Sequence, residues 1–211
     1  MTAVITPNKV DHLQQFFNLT QTRNSGAEEI FIFNEVTWEE FKELLDILPD
    51  NRGTLLRYIK GELEIMAPGH NHELVVERFG TLLECYFVER DIDYISLGSK
   101  TLKNESAKRG IEPDKCFYFD EEREFPSLAI EVIVTSGGLD LLEIYKEFGV
   151  EEVWFWEKGE ISMFSLKGES YIEVDTSVLF PDLNKKTVEP FLTATGSNLK
   201  IRKQFQKTIS Q

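Results

Sequence analysis

The feature that most constrains this chain is one glutamate in the middle of an apolar run, LAIEVIV at residues 128–134. A short run without polar alternation is typical of a strand that is covered on both faces of a mixed sheet. Glu131 interrupts the run, and a buried carboxylate costs several kcal/mol unless it is paired, protonated or bound to a metal ion. The run therefore predicts a covered central strand and a partner for Glu131.

Helix and strand patterns alternate along the rest of the chain. Thr37 and Glu40 have the spacing of a capping box, which predicts a helix that begins there. Apolar residues at helical spacing predict a second helix over 71–89, and a third is predicted over 139–148, where Gly149 follows at a C-cap position. Strand patterns lie at 55–66, around a Gly-centred turn, and at 94–97, 115–119, 128–134, 153–156, 161–166 and 171–174.

These elements predict an α/β fold with a mixed central sheet flanked by helices and with extra hairpin strands. The first 30 residues are polar and weakly periodic, so we expect an N-terminal arm over 1–30 and a single domain over 31–211. No internal repeat or low-complexity linker divides that domain. It includes a basic C-terminal tail, since residues 196–211 contain four basic residues and no acidic one.

Charge and composition exclude several classes of protein. The chain has 23 basic and 37 acidic residues, a net charge of −14, which argues against a generic electrostatic grip on nucleic acid. Its two cysteines are too few for a disulfide framework, and no leader sequence or membrane-spanning apolar run is visible. We therefore expect a reduced, soluble, cytoplasmic protein rather than a membrane, secreted or disordered one.

A second carboxylate stands at the start of another apolar segment. Asp114 follows Pro113 and precedes the segment CFYF, and it lies 17 residues before Glu131. If the two strands are neighbours, both carboxylates converge at one end of the sheet. Two carboxylates that hold a hard cation are what a Mg²⁺-dependent phosphodiester hydrolase needs. The alternative is that Asp114 caps a turn while Glu131 pairs with an arginine or a lysine.

Four segments resemble a large family of endonucleases that is abundant in cyanobacteria and belongs to the PD-(D/E)XK, restriction-endonuclease-like superfamily. They are GHNHE (69–73), RGIEPDKCFYF (109–119), PSLAIEVIVTSGGLD (126–140) and IYKEFGVEEVW (144–154). The resemblance spans about residues 37–195 and implies a mixed sheet of four to five strands. It also implies that Asp114 and Glu131 bind Mg²⁺ or Mn²⁺ and that the substrate is DNA. The resemblance further implies a homodimer, because the superfamily often pairs two sites.

The chain departs from this family at its basic residue. The superfamily pattern has a lysine two residues after the glutamate, where this chain has Ile133, and the family moves that residue to the position of Leu141. Leucine can neither orient a water molecule nor stabilise developing charge. Lys100 is the best substitute, because a strand leading into the Asp114 loop could bring it close.

Two further residues are candidates through the same resemblance. His72 matches a histidine at the start of the second helix, where it either joins the active site or acts as a capping or packed surface residue. His70 and His72 could also form a transition-metal pair, but no third ligand is visible. Glu62 matches a G-E-L segment and is a candidate third carboxylate.

Three functions remain open from the sequence. The first is a Mg²⁺-dependent DNA endonuclease in which Asp114 and Glu131 hold the metal. The second is a catalytically silent relative that keeps the fold as a binding or regulatory module, because Leu141 replaces the basic residue. The third is a metal-dependent hydrolase of a small phosphorylated substrate, which an acidic surface would tolerate better.

Overall fold

The computed structural model describes residues 9–21, 28–49, 53–98, 100–119, 121, 123–134 and 139–210. Within these residues the chain forms six helices and eleven strands. The helices are α1 (Lys9–Gln21), α2 (Trp38–Ile47), α3 (His70–Glu89), α4 (Leu141–Phe148), α5 (Lys185–Leu192) and α6 (Asn198–Ile209). The strands are β1 (Glu29–Phe33), β2 (Leu55–Ile59), β3 (Glu62–Ala67), β4 (Tyr94–Leu97), β5 (Leu102–Asn104), β6 (Arg109–Ile111), β7 (Lys115–Phe119), β8 (Leu128–Ile133), β9 (Glu152–Glu157), β10 (Glu160–Lys167) and β11 (Ser170–Val174).

The strands form two sheets. The six-stranded sheet has the order β11-β10-β9-β8-β7-β4 and is mixed, because β8 and β9 run parallel while the other neighbours are antiparallel. The five-stranded sheet has the order β1-β3-β2-β6-β5 and is antiparallel. The predicted mixed α/β fold is confirmed. The main sheet has six strands rather than four or five, and the hairpin strands belong to the second sheet.

The central strand β8 is covered on both faces, as its apolar run predicts. Leu128, Ile130 and Val132 pack in one cluster with α3, α5 and α6. Ala129 points to the other face, where it packs with α4 and with residues of the second sheet. Because side chains alternate along a strand, Glu131 lies on the same face as Ala129. That alternation directs its carboxylate into the layer between the two sheets.

The second sheet has its own packing partners. Leu56 and Tyr58 of β2 pack with α1 and α2 in a separate apolar cluster. Helix α2 begins with the capping box predicted at Thr37, whose hydroxyl accepts from the Glu40 amide while the Glu40 carboxylate accepts from the Thr37 amide. Helix α1 lies in the segment expected to be an arm, and the weak periodicity there did not predict it. No described helix is long and apolar enough to cross a membrane.

Candidate functional site

Asp114 and Glu131 lie side by side at the junction of the two sheets. Strands β7 and β8 are antiparallel neighbours with Lys115 opposite Ile130, so the residue before β7 meets the end of β8. Asp114 Oδ2 accepts a hydrogen bond of 2.7 Å from the Val132 amide. Both side chains are buried. The convergence of two carboxylates at one end of neighbouring strands, expected from the sequence, is present.

A guanidinium occupies the space beside these carboxylates. Arg57, on β2 of the second sheet, places NH2 2.5 Å from Glu131 Oε2 and 3.9 Å from Asp114 Oδ1. Its NH1 lies 2.7 Å from Glu64 Oε1. Arg57 is only 6% exposed, so the ion pairs are shielded from water. The alternative in which Glu131 pairs with an arginine is therefore the arrangement found.

The strand register explains why Arg57 is there. Strands β2 and β3 pair with Arg57 opposite Glu64, and β2 and β6 pair with Arg57 opposite Ile111. Cross-strand partners share a face of the sheet. That face carries Ile59 and Ile111 into the apolar cluster of α4 and the six-stranded sheet. Arg57 and Glu64 thus enter the layer that Glu131 enters from the opposite side.

His72, in the first turn of α3, is a second internal cation. Its Nε2 lies 3.0 Å from Asp114 Oδ1, and its Nδ1 lies 2.6 Å from Glu28 Oε2. Burial lowers the pKa of His72, but the hydrogen bonds and charges of Asp114 and Glu28 outweigh burial and raise the pKa to about 10. The imidazole is therefore protonated at neutral pH, so that it donates a hydrogen bond to Glu28 and forms an ion pair with Asp114.

Tyr145 of α4 completes the surroundings of Glu131. Its hydroxyl donates to Glu131 Oε1, and both side chains are fully buried. Burial raises the pKa of Glu131 above the usual carboxyl range, and the charge of Arg57 opposes that rise. Burial and the charge of Glu131 raise the pKa of Tyr145, so its phenol stays protonated and remains a donor.

We name the group formed by Glu28, Arg57, Glu64, His72, Asp114, Glu131 and Tyr145 the ion cluster. It contains four carboxyl groups and two cationic side chains, supplied by both sheets and by α3, with the α4 phenol as a neutral donor. Such a cluster is stable in a dry interior only because opposite charges and donors compensate the lost hydration. It links the two sheets through charge as well as through apolar packing.

The ion cluster does not fit a divalent metal ion. Magnesium needs carboxylate oxygens at about 2.0–2.1 Å and near-octahedral geometry, yet the oxygens of Glu131 already accept from Arg57 and Tyr145. One Asp114 oxygen accepts from the Val132 amide. The other has no well-aligned hydrogen bond, and its neighbours are the cationic His72 and Arg57. Among the described residues no group of three or more His, Cys, Asp or Glu is arranged to hold a metal.

The position at which the resemblance expects a basic residue is apolar. Leu141 opens α4 and is buried in the apolar cluster with Ile144 and Tyr145. Asp140 caps that helix by accepting from the Glu143 amide. The ammonium of Lys100 lies 5.0 Å from the ring centroid of Tyr118, and among the described residues no ion pair joins it to Asp114 or Glu131.

Of the residues expected from the sequence, Asp114, Glu131 and His72 are together and Glu62 is not. Glu62 is exposed at the start of β3, opposite Ile59 near the hairpin turn. Glu64, two residues later, is the carboxylate that reaches the cluster. Arg57 and Glu64 each interrupt an apolar segment, LLRYI and LEIM, as Glu131 does, so the same signal could have found them. Tyr145 matches the tyrosine that ends the family segment at 139–145, but that match gave it no role, and nothing in the sequence indicated Glu28.

A cleft of about 500 Å³ opens beside the ion cluster, with Arg57 and Glu64 in its lining. The other charged residues of the described lining are all acidic: Glu28, Asp140, Glu157 and Glu160. Apolar residues that include Leu141 and Phe155 form the rest of the wall. A cleft with this charge repels a phosphodiester backbone rather than attracting one.

Comparison with known proteins gives a match to a family model and matches to solved structures. The model of the Uma2 family, described as "Putative restriction endonuclease", matches residues 38–200. A crystal structure described as a "putative nuclease belonging to DUF820" from Anabaena variabilis superposes with a TM-score of 0.51 at 13% identity, covering 74% of this chain and 99% of that one. Identity this low shows a shared fold and no more. No curated protein matches the chain.

Proposed function

The chain belongs to the Uma2 family, and on that premise we propose that it is a catalytically silent member, a nuclease-fold binding module in which an arginine stands where a catalytic metal ion would act. One observation carries the proposal. Arg57 NH2 lies 2.5 Å from Glu131 Oε2, in the space that a cation shared by Glu131 and Asp114 would need.

A guanidinium in the place of a metal ion cannot activate water for hydrolysis of a phosphodiester. A divalent ion neutralises the scissile phosphate and lowers the pKa of the attacking water. A guanidinium keeps its proton at any physiological pH and has no open coordination position for water. Leu141 supplies no charge to the transition state either. The cluster is thus suited to holding the two sheets together and not to activating water.

DNA remains the partner proposed for this fold, but the acidic cleft is a poor place for it. Helix α6 packs on α3 through one apolar face that includes Ile201 and Phe205. Its basic side chains are exposed: Lys200, Arg202, Lys203 and Lys207. We propose that this basic face of α6, which lies in the tail singled out by its charge, makes any contact with the DNA backbone, with the steep salt dependence of such contacts.

The competing function is the metal-dependent endonuclease. The observation that favours the endonuclease is that the four carboxyl groups of the cluster outnumber its two cations. If Arg57 moved away, the remaining carboxylates would form a site with a high affinity for a cation. The endonuclease requires Arg57 to leave its ion pairs when metal and DNA bind.

A nicking assay on supercoiled plasmid separates the two functions. With Mg²⁺ or Mn²⁺, the proposal predicts no nicking by the natural sequence and measurable nicking by the double variant Arg57→Ala/Leu141→Lys. Arg109→Ala, which changes an arginine that bonds neighbouring carbonyls outside the cluster, is the matched control. Nicking by the natural sequence that Asp114→Asn abolishes would establish the endonuclease and end the proposal.

A further inference from the structure

A second cavity, of about 620 Å³, lies on the opposite face of the six-stranded sheet from the ion cluster. Its walls are the first turns of α3, the ends of β8 and β9, the last residue of α5 and the segment 193–196 that follows it. The charged residues of its described lining are Arg78 and Lys158, with no carboxylate among them. The chain as a whole has a net charge of −14, so this cavity, whose charged lining residues are both cations, differs in sign from the rest of the molecule.

Arg78 is a buried cation that no carboxylate neutralises. It is 5% exposed, and its NH1 donates to the carbonyls of Leu192, at 3.1 Å, and Ala194. Among the described residues no acidic side chain lies within ion-pairing distance of it. Neutral carbonyls orient a guanidinium but leave its charge in place, so the field of Arg78 extends into the cavity.

One edge of the Arg78 guanidinium makes almost no hydrogen bonds to the described residues. Its Nε has no hydrogen-bond partner among the described residues, and its NH2 makes only a 3.5 Å contact with the Gly196 carbonyl. These two nitrogens form the edge that binds a carboxylate or phosphate through two parallel hydrogen bonds. Lys158 adds positive charge at the rim, where it is exposed and already contacts Glu157.

A second unpaired donor belongs to the same cavity. The indole Nε1 of Trp156 is buried and has no partner among the described residues, although nearly all buried N–H groups in proteins are paired. Trp156 lines the cavity together with Arg78. Two unpaired buried donors in one lining indicate an acceptor that is supplied from outside the chain.

The rest of the lining is apolar and partly open to solvent. Leu74 is 39% exposed and Val134 is 42% exposed, and both face the cavity beside Val75 and Leu192. The volume lies within the range of small-molecule sites, about 300–1,000 Å³. We propose that this cavity binds an organic anion, in which a carboxylate, sulfonate or phosphate group is attached to an apolar body. The anionic group meets Arg78 and Trp156 Nε1, and the body covers Leu74 and Val134.

The test uses 8-anilinonaphthalene-1-sulfonate, a sulfonate on an aromatic body, titrated into the full chain and followed by fluorescence. We expect saturable binding with one probe per chain. Leu74→Glu places a carboxylate at the mouth, and Trp156→Phe removes the indole donor while keeping an aromatic ring. Each should weaken binding by about tenfold or more, the scale of one hydrogen bond to a charged group. Leu199→Glu is the matched control, because Leu199 is 64% exposed and lies outside the cavity.

Competition identifies the class of ligand. Octanoate should displace the probe, and octanol, which has the same apolar chain without the charge, should not. Circular dichroism and the melting temperature of each variant must match those of the natural sequence, since loosened proteins also bind this probe. The proposal is overturned by the absence of saturable binding, by equal displacement with octanol, or by equal effects of Leu74→Glu and Leu199→Glu. Displacement by a short DNA strand but not by octanoate would assign the cavity to nucleic acid instead.

Discussion

Arg57 and Glu131 belong to different sheets, and their buried side chains meet at 2.5 Å between NH2 and Oε2. Each is a charged residue within an otherwise apolar strand, so each would be costly alone. Together with Glu64 and Asp114 they form a set whose charges compensate one another. This pair links the two sheets, and the proposed lack of a catalytic cation depends on it.

Removal of Arg57 should destabilise the fold. Arg57→Ala leaves Glu131 and Glu64 buried without their cation, and loss of one partner from a buried ion pair costs about 3–5 kcal/mol. Urea unfolding followed by circular dichroism measures the loss. Arg57→Lys keeps the charge without the forked geometry and should lose less. A loss below about 1 kcal/mol for Arg57→Ala, the scale of an exposed pair, would contradict the account.

Replacement of Tyr145 should have a pH-dependent cost. Tyr145→Phe removes a donor to Glu131, and loss of a hydrogen bond to a buried charged group costs about 1.5–3 kcal/mol. The cost should grow as pH rises, because the lost bond favours the ionised carboxylate. Tyr171→Phe is the control, since its hydroxyl donates to the uncharged Val150 carbonyl. Equal pH profiles for the two variants would show that Tyr145 does not act on the charge of Glu131.

The stabilisation that protonated His72 gives to the fold should be lost at alkaline pH. Its pKa is raised from 6.5 to about 10 in the folded chain, so the folded state holds a proton that the unfolded state releases. The stabilisation is complete below pH 6.5 and is lost as pH rises through 10, with a slope of at most about 1.4 kcal/mol per pH unit. His72→Gln should flatten that slope. A resonance assigned to the His72 imidazole by its loss in His72→Gln, and titrating near pH 6.5 in the folded protein, would refute the assignment.

If the basic face of α6 contacts DNA, binding should depend on the lysines of α6, which lie outside the ion cluster. We expect Lys203→Glu/Lys207→Glu to weaken binding of a fluorescent duplex, measured by anisotropy at low salt, and to reduce the slope of affinity against salt concentration. Lys108→Glu/Lys167→Glu carries the same change of net charge and serves as control. If both double variants weaken binding equally, only net charge matters and α6 is not the contact face.

The homodimer expected from the resemblance is tested by sedimentation. A monomer at micromolar concentration would leave each chain with a single ion cluster and no paired site, whereas a dimer would support the expectation. The prediction stands independently of catalysis, because a silent module can keep the oligomeric state of its relatives.

Local patterns in the sequence were enough to predict most of the elements. Thr37 and Glu40 specify their helix start through side-chain hydrogen bonds within four residues, and the apolar run around Glu131 specifies a covered strand whatever its neighbours are. Helix α1 was missed because its periodicity is weak and its stability depends on contacts with α2.

The site was only partly predictable because its decisive contacts are long-range. Asp114 and Glu131 were found since neighbouring strands bring them together. The partner of Glu131 lies 74 residues away on a different sheet, and no local pattern encodes the docking of two sheets. Matching to a motif predicted Glu62, whereas Glu64 is the residue in the cluster. Residues two apart in a strand lie on the same face of the sheet, so strand alternation does not distinguish these two glutamates. Only their position along β3 does, because Glu64 lies opposite Arg57 and Glu62 lies opposite Ile59.

The most direct test of the central claim is calorimetric titration of Mn²⁺ into three forms of the chain. We predict no site-specific binding to the natural sequence, one bound ion in Arg57→Ala, and none in Arg57→Ala/Glu131→Gln, since the guanidinium takes the place of the cation. Binding of one Mn²⁺ ion to the natural sequence, lost on Glu131→Gln alone, would show that metal and Arg57 coexist and would contradict the account.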